Sequence, residues 1–248
     1  MNKEKGVDNN VLPILMYHNI ASAPADLQVY RSLYVSPAKF ARQMWLLRKF
    51  GYTGLSMSAA LPYLRGQRRG RVVVITLDDG YVDNLDAALP VLQGFGFSAT
   101  VYMVSGSIGS YNVWDAERLG VRKPLMSVAD MRRWNDAGME IGAHTRTHPR
   151  LTGCSDAELQ DEIHGCKVDL EDRLGNAVTQ FCYPYGDVDD RVAAVVREAG
   201  YAAATTTHRG RAVAGADLWR LPRVQVARHH LLPQFAVRAL TSYEDRRA

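Results

Sequence analysis

Short apolar runs alternate with amphipathic segments from about residue 11 to the C-terminus. The most sharply bounded run is Arg71-Val-Val-Val-Ile-Thr-Leu-Asp78-Asp79-Gly80, a β-branched stretch that ends in two acids and a glycine. An unbroken run of this kind predicts a strand buried on both faces, as in a parallel sheet. Further strands are predicted over residues 11–17, 97–104, 139–143, 178–183, 201–207 and 221–226. Between them, helical periodicity predicts helices over 36–50, 56–64, 83–95, 127–138, 155–174, 189–199 and 233–240. The first of these has Ser36-Pro37 as its start, Phe40, Met44 and Leu47 as a buried stripe, and Gly51 as its stop. The fifth puts Leu159, Ile163, Cys166, Leu170 and Leu174 on one face and leaves His164 on the polar side. This alternation predicts one α/β unit built on a barrel-like or doubly wound parallel sheet. Residues 105–125 form the longest connection. Its Tyr111, Trp114 and Asp115 suit a sugar-binding wall, or packing over the rim of a barrel.

His18, Asp78, Asp79, His144, Tyr185 and His208 all fall at or just past predicted strand ends. In a parallel barrel those ends share one face, so these residues are candidates for a single site. Two adjacent carboxylates at a strand mouth are costly unless they are paired or bind a metal. His144-Thr-Arg-Thr-His148 supplies two imidazoles four residues apart. Two imidazoles and one carboxylate suit a catalytic zinc site with open positions, and equally ferrous iron in an oxygenase. By itself the histidine spacing also occurs in surface and capping histidines.

Composition narrows the class. The chain has 248 residues, 47% hydrophobic and 23% charged, with a formal net charge of +4. That suits an ordinary soluble domain with a substantial core. The basic residues are scattered, which argues against a nucleic-acid surface and leaves only a mild preference for an anionic substrate. Cys154, Cys166 and Cys182 are odd in number and lack metal-type spacing, which argues against a disulfide framework. No apolar run approaches the roughly 18 residues of a membrane span. Residues 1–10 are polar, with no secretory core. They are expected to be a flexible segment preceding a domain over 11–248, in a cytoplasmic protein unless a signal has been trimmed.

Thr76-Leu-Asp78-Asp79-Gly80 resembles the first motif of the polysaccharide deacetylases of the NodB-homology group, carbohydrate esterase family 4. Gly142-Ala-His144-Thr-Arg-Thr-His148 is similar to their second motif, Tyr183-Pro184-Tyr185-Gly186 to their third, and Leu221-Pro222-Arg223 to part of their fourth. The resemblance covers roughly residues 11 to 230. It implies a single distorted (β/α) barrel of about seven parallel strands. It also implies a divalent metal, zinc above other transition metals, held by Asp79, His144 and His148, with Asp78 as general base and the Tyr185 N–H helping to hold the oxyanion. The implied reaction is hydrolysis of N-acetyl groups on an N-acetylated sugar or glycan, free or lipid-linked.

Two departures from the pattern are visible. Cys182 stands where the third motif carries an arginine that orients the catalytic aspartate, and Arg223 is expected to take over that task. The late histidine motif is not evident around His229-His230. Ile14-Leu-Met-Tyr17-His18 instead places a histidine after an apolar strand near the N-terminus, similar to deacetylases of poly-N-acetylglucosamine-type glycans. His18 is therefore the expected general acid, with His208 in reserve. An O-acetyl esterase, another carbon–nitrogen amidohydrolase and a non-catalytic glycan-binding module remain alternatives on the same scaffold. Oligomeric state has no signature in the sequence.

Overall fold

Seven parallel strands close into a barrel surrounded by helices in the computed structural model, which describes residues 11–25, 27 and 29–248. The expected flexible segment, 1–10, lies outside the described residues. The strands are β1 (Val11–Leu12), β2 (Ile14–Tyr17), β3 (Thr53–Leu55), β4 (Val72–Leu77), β5 (Thr100–Met103), β6 (Glu140–Ala143), β7 (Gln180–Cys182), β8 (Ala203–Arg209), β9 (Ala212–Val213) and β10 (Leu221–Gln225). Around the barrel the order is β2-β4-β5-β6-β7-β8-β10, and β10 pairs with β2 to close it. β3 shares one edge of β4 with β5, pairing with Val72–Val74 while β5 pairs with Thr76 and Leu77.

The helices are α1 (Pro37–Lys49), α2 (Met57–Leu64), α3 (Leu89–Phe95), α4 (Ala116–Leu119), α5 (Val128–Asp136), α6 (Asp156–Gln160), α7 (Cys166–Leu174), α8 (Asp190–Glu198) and α9 (Leu232–Leu240). Ser36 caps α1 and Asp189 caps α8, each accepting a backbone N–H of the first turn. Among the described residues, no helix is long and apolar enough to cross a membrane.

The departures from the sequence expectations have local causes. The strand expected over 11–17 divides at Pro13, which has no N–H to donate. Its carbonyl accepts from Val74, while β1 turns away to pair with β9. β3 is only three residues long, too short for a periodic signal. A Cβ on its Gly54 would lie 2.7 Å from Ile75 and Phe97, so only glycine fits there. The helices expected over 83–95 and 155–174 each contain one π turn, at Asn84–Ala88 and Asp161–Gly165. Such turns carry an extra residue per turn and rotate the side chains that follow.

Alternation along the strands sorts the side chains. Val73, Ile75 and Leu77 of β4 point outward into the layer between barrel and helices, as do Leu15, Tyr17, Val101, Met103, Phe181 and Tyr183. Full burial of such aliphatic side chains is worth about 1.5–3 kcal/mol each. Val72, Val74, Ile14, Tyr102, Cys182 and Leu221 belong to a second cluster that includes Met57, Ala60 and Leu64 of α2. Helix α2 thus closes the N-terminal end of the barrel, where Glu140 accepts from the backbone N–H of Ser58 and from Thr100 Oγ1. The same two-residue period carries the inward parity upward from Val74 to Thr76 and Asp78, from Ile14 to His18, and from Leu221 to Arg223. The C-terminal end of the barrel is therefore the end that holds the polar groups.

Candidate metal centre and cleft

Asp78 and Asp79 follow directly on β4, and both are buried, at 2% and 6% exposure. Asp79 has φ 75° and Gly80 φ 77°. A Cβ at Gly80 would meet Met103 Sδ at 2.3 Å, so this left-handed turn requires glycine after the acid pair. Thr145, His148 and Tyr185 also have positive φ, at 65°, 64° and 59°. With Tyr30, at 56°, which lines the same cleft, five non-glycine residues in this sparsely populated region lie in or beside one cleft, a concentration typical of functional sites.

His144 Nε2 and His148 Nε2 each lie 3.5 Å from Asp79 Oδ1. That is too long for a good hydrogen bond. It matches the edge of a tetrahedron, about 3.4 Å, whose corners lie about 2.1 Å from a central zinc. His144 Nδ1 is 2.7 Å from the Cys182 carbonyl, which fixes the proton on Nδ1 and leaves the Nε2 lone pair free. The donor set, its burial and its spacing fit a divalent cation. A second group, Asp78, His144 and Cys182, is equally compact. Asp78 and the Cys182 sulfur are already engaged by Arg223, however, and the two imidazole Nε2 atoms converge on Asp79.

Electrostatics agree with this arrangement. Burial alone would raise the Asp79 carboxyl, but the two imidazoles outweigh it and hold the group well below the usual range. Burial lowers His148 and keeps its imidazole neutral, as a ligand must be. His144, despite burial, is pushed up by Cys182 and Asp79, so the pocket favours a cation at this point.

The turn carrying both histidines is braced from the second π turn. Buried Glu162 accepts from the backbone N–H groups of Arg146 and Thr147, at 2.8 and 2.9 Å, and Thr145 Oγ1 accepts from His148 N. The first π turn braces His18, whose carbonyl accepts from Asn84 Nδ2 at 2.8 Å.

Arg223, 1% exposed, forks onto Asp78 with Nη1–Oδ1 at 2.7 Å and Nη2–Oδ2 at 2.8 Å. Its other donors go to the Thr206 carbonyl, Thr76 Oγ1 and Cys182 Sγ. Burial would raise the Asp78 carboxyl, but Arg223 and then His18 lower it on balance. The carboxylate is thus ionised and oriented.

The cleft above these groups, about 710 Å³ and open to solvent, is lined by His18, Asp78, Asp79, His144, His148 and Tyr185 together with a wall from the 105–125 connection. His18 Nε2 stands 3.8 Å from Asp78 Oδ2. His148 is covered by Trp114, stacked at 4.8 Å and 21°, and meets the Tyr185 ring edge-on at 4.7 Å. After Tyr185, a Cβ at Gly186 would strike Thr207 Oγ1 at 2.0 Å. Of the residues expected at the site, Arg223 is outside the lining but bonded to Asp78, which lines it, whereas His208 is outside it altogether. It lies near the end of β8 and is exposed. His230 is also elsewhere, with Nδ1 accepting from Ala227 N.

Sequence reasoning missed Glu162, Asn84 and the Cys182 carbonyl. Each acts on backbone groups, or through one, far away in the chain. It also missed the cleft wall formed by Tyr34, Tyr81 and the Lys123–Asp83 ion pair, at 2.7 Å.

Comparison with known proteins agrees with the fold and motifs. The family model described as polysaccharide deacetylase matches residues 65–204. YxkH of Bacillus subtilis (strain 168), named for the same family, is 30% identical over 87% of this chain and 71% of its own length. The poly-beta-1,6-N-acetyl-D-glucosamine N-deacetylase of Escherichia coli (strain K12) is 24% identical over 95% of this chain, which spans 39% of that protein. The crystal structure of BC0361, a polysaccharide deacetylase from Bacillus cereus, superposes with a TM-score of 0.78 at 29% identity, covering 92% of this chain and 69% of that one. IcaB from Ammonifex degensii shares the fold, with a TM-score of 0.77 at 22% identity over 93% of this chain and 97% of that one. With its family-model match, its relatives and its barrel in agreement, the chain belongs to the polysaccharide deacetylase family.

Proposed function

We propose that the protein removes N-acetyl groups from an N-acetylated glycan, using a divalent metal, most readily zinc, held by Asp79, His144 and His148. The observation that carries this reading is the juxtaposition of two carboxylates with different partners. Asp79 faces two imidazoles, while Asp78 is clamped by Arg223 beside them and faces His18. Relatives named for deacetylation of poly-N-acetylglucosamine support the substrate class, and the lining of Tyr and Trp side chains suits a sugar.

When bound, the metal supplies a polarised acetyl carbonyl and water of lowered pKa. Asp78 takes the proton from the attacking water, and the guanidinium of Arg223 keeps its oxygens aimed at that water. The Tyr185 N–H donates to the oxyanion as it forms. His18 gives a proton to the departing amine. Without that step an amide nitrogen is a very poor leaving group.

The function is tested by measuring acetate release from matched N-acetylated and O-acetylated oligosaccharides. Release from the N-acetylated set supports the proposal, and release confined to the O-acetylated set would replace it with an esterase. His18→Gln is expected to lower kcat on the N-acetyl substrate by about 10²–10⁴-fold. On an aryl acetate, whose leaving group needs no proton, the loss should be much smaller. Equal losses on both substrates would remove His18 from the acid role.

A further inference from the structure

Asp115 lines the same cleft as the metal-site residues, next in sequence to Trp114, which stacks on His148, and its position is built from a buried residue. Asn112, fully buried, donates from Nδ2 to Asp115 Oδ1 at 2.6 Å and to the Val121 carbonyl at 3.3 Å, and its Oδ1 accepts from Lys123 N at 2.6 Å. The connection is further tied to itself by backbone pairing of Tyr111 with Pro124, and to the segment after β4 by pairing of Tyr81 with Leu125 and by the Lys123–Asp83 ion pair. Asn112 thus locks the loop on itself and fixes one oxygen of Asp115. Among the described residues, the other oxygen, Oδ2, has no hydrogen-bond donor, and the residue lines the cleft beside Trp114 and Arg118. Tyr34, Tyr81, Tyr185 and Asp79 line the same cleft.

One oxygen of this half-buried carboxylate serves the fold through Asn112, and the other takes no part in it. That oxygen can accept a hydrogen bond from a ligand. Asp115 lies outside the compact group that could hold the metal, so it is not a further metal ligand. Burial, with Asp79 nearby, pushes its carboxyl up to about 6, which leaves an acceptor at neutral pH.

We propose that Asp115 is the specificity-determining residue for the sugar, accepting a hydrogen bond from one ring hydroxyl of the N-acetylated residue whose acetyl group is removed. This inference rests on the deacetylase reading. The held oxygen removes the rotamer freedom that a carboxylate on a free loop would lose on binding, so the charge-assisted bond is strong and directional. Asn112 is then a positioning residue, acting through Asp115.

The test uses the zinc-loaded full chain, an N-acetylglucosamine oligosaccharide, and analogues lacking a single hydroxyl on the reacting sugar. Asp115→Ala is expected to lower kcat/KM on the parent substrate by about 10–100-fold, mostly through KM, the loss of one hydrogen bond to a charged group. Asp115→Asn, which keeps an acceptor oxygen, should recover part of that loss, and Asn112→Ala should lower kcat/KM in the same direction by less. One deoxy analogue should be poor with the wild-type protein by a similar factor and no poorer with Asp115→Ala, so that the two losses do not add. Losses that multiply for every analogue would overturn the proposal, and so would a loss in kcat alone with an altered pH profile. Wild-type protein that releases acetate from no N-acetylated glycan would instead sink the deacetylase reading on which this rests.

Discussion

Asp78→Asn is expected to bind one divalent metal as the wild-type protein does and to lose about 10²–10⁴-fold in kcat on an N-acetylated substrate, the range for removal of a positioned general base. Each oxygen of Asp78 accepts one bond from the Arg223 guanidinium, which holds the side chain in place and leaves a further lone pair on each oxygen. The amide can still accept from one arm of Arg223 but cannot take a proton from water. The fold should therefore survive, with a loss smaller than the about 3–5 kcal/mol expected when a buried ion pair is broken outright. Metal binding by calorimetry and acetate release, measured on the same preparation, separate the two roles. A variant that keeps full activity would remove Asp78 as the base, and one that loses its metal would make Asp78 a ligand.

Arg223→Met is expected to be the most destabilising single change at the site. It leaves Asp78, 2% exposed, as a buried carboxylate without its cation, at a cost of about 3–5 kcal/mol. The pH dependence carries a definite sign. In the wild-type protein the Asp78 carboxyl is lowered, so its contribution is fully present above about pH 3.9, the unfolded value, and is lost as pH falls through the folded one. In the variant, burial is no longer outweighed by Arg223 and the carboxyl rises, so folding binds a proton and stability falls as pH rises. The stability gap between the two proteins should widen from acid toward neutral pH in chemical denaturation. A gap that is constant or narrows would mean that the Arg223–Asp78 pair does not set the charge state of Asp78.

Much of this arrangement was legible in the sequence for an identifiable reason. A parallel barrel puts all its strand C-termini on one face, so groups following apolar runs, such as His18, Asp78 and His144, converge without any further signal. Parity was not legible, because β4 is apolar on both faces and Val72–Leu77 shows no alternation. The pairing of Arg223 with Asp78 was expected from the motif resemblance, and the closed barrel supplies its physical reason, since both point into the same interior. The bracing residues were invisible for a different reason. Glu162 lies between apolar positions of a long helix and reaches Arg146 N and Thr147 N through a π turn, which a regular 3.6-residue period does not foresee. His208 misled in the opposite sense. Its strand continues to Arg209, so a strand-end histidine on the sequence became an exposed one on the fold.

The most direct check is a titration of chelator-stripped protein with zinc while acetate release from an N-acetylated oligosaccharide is followed. Asp79, His144 and His148 acting together as one site predict that activity is absent at the start, rises in proportion to added metal and levels off at one equivalent per chain. Acetate release that is already complete in the stripped protein, or that never appears with one equivalent bound, would contradict it.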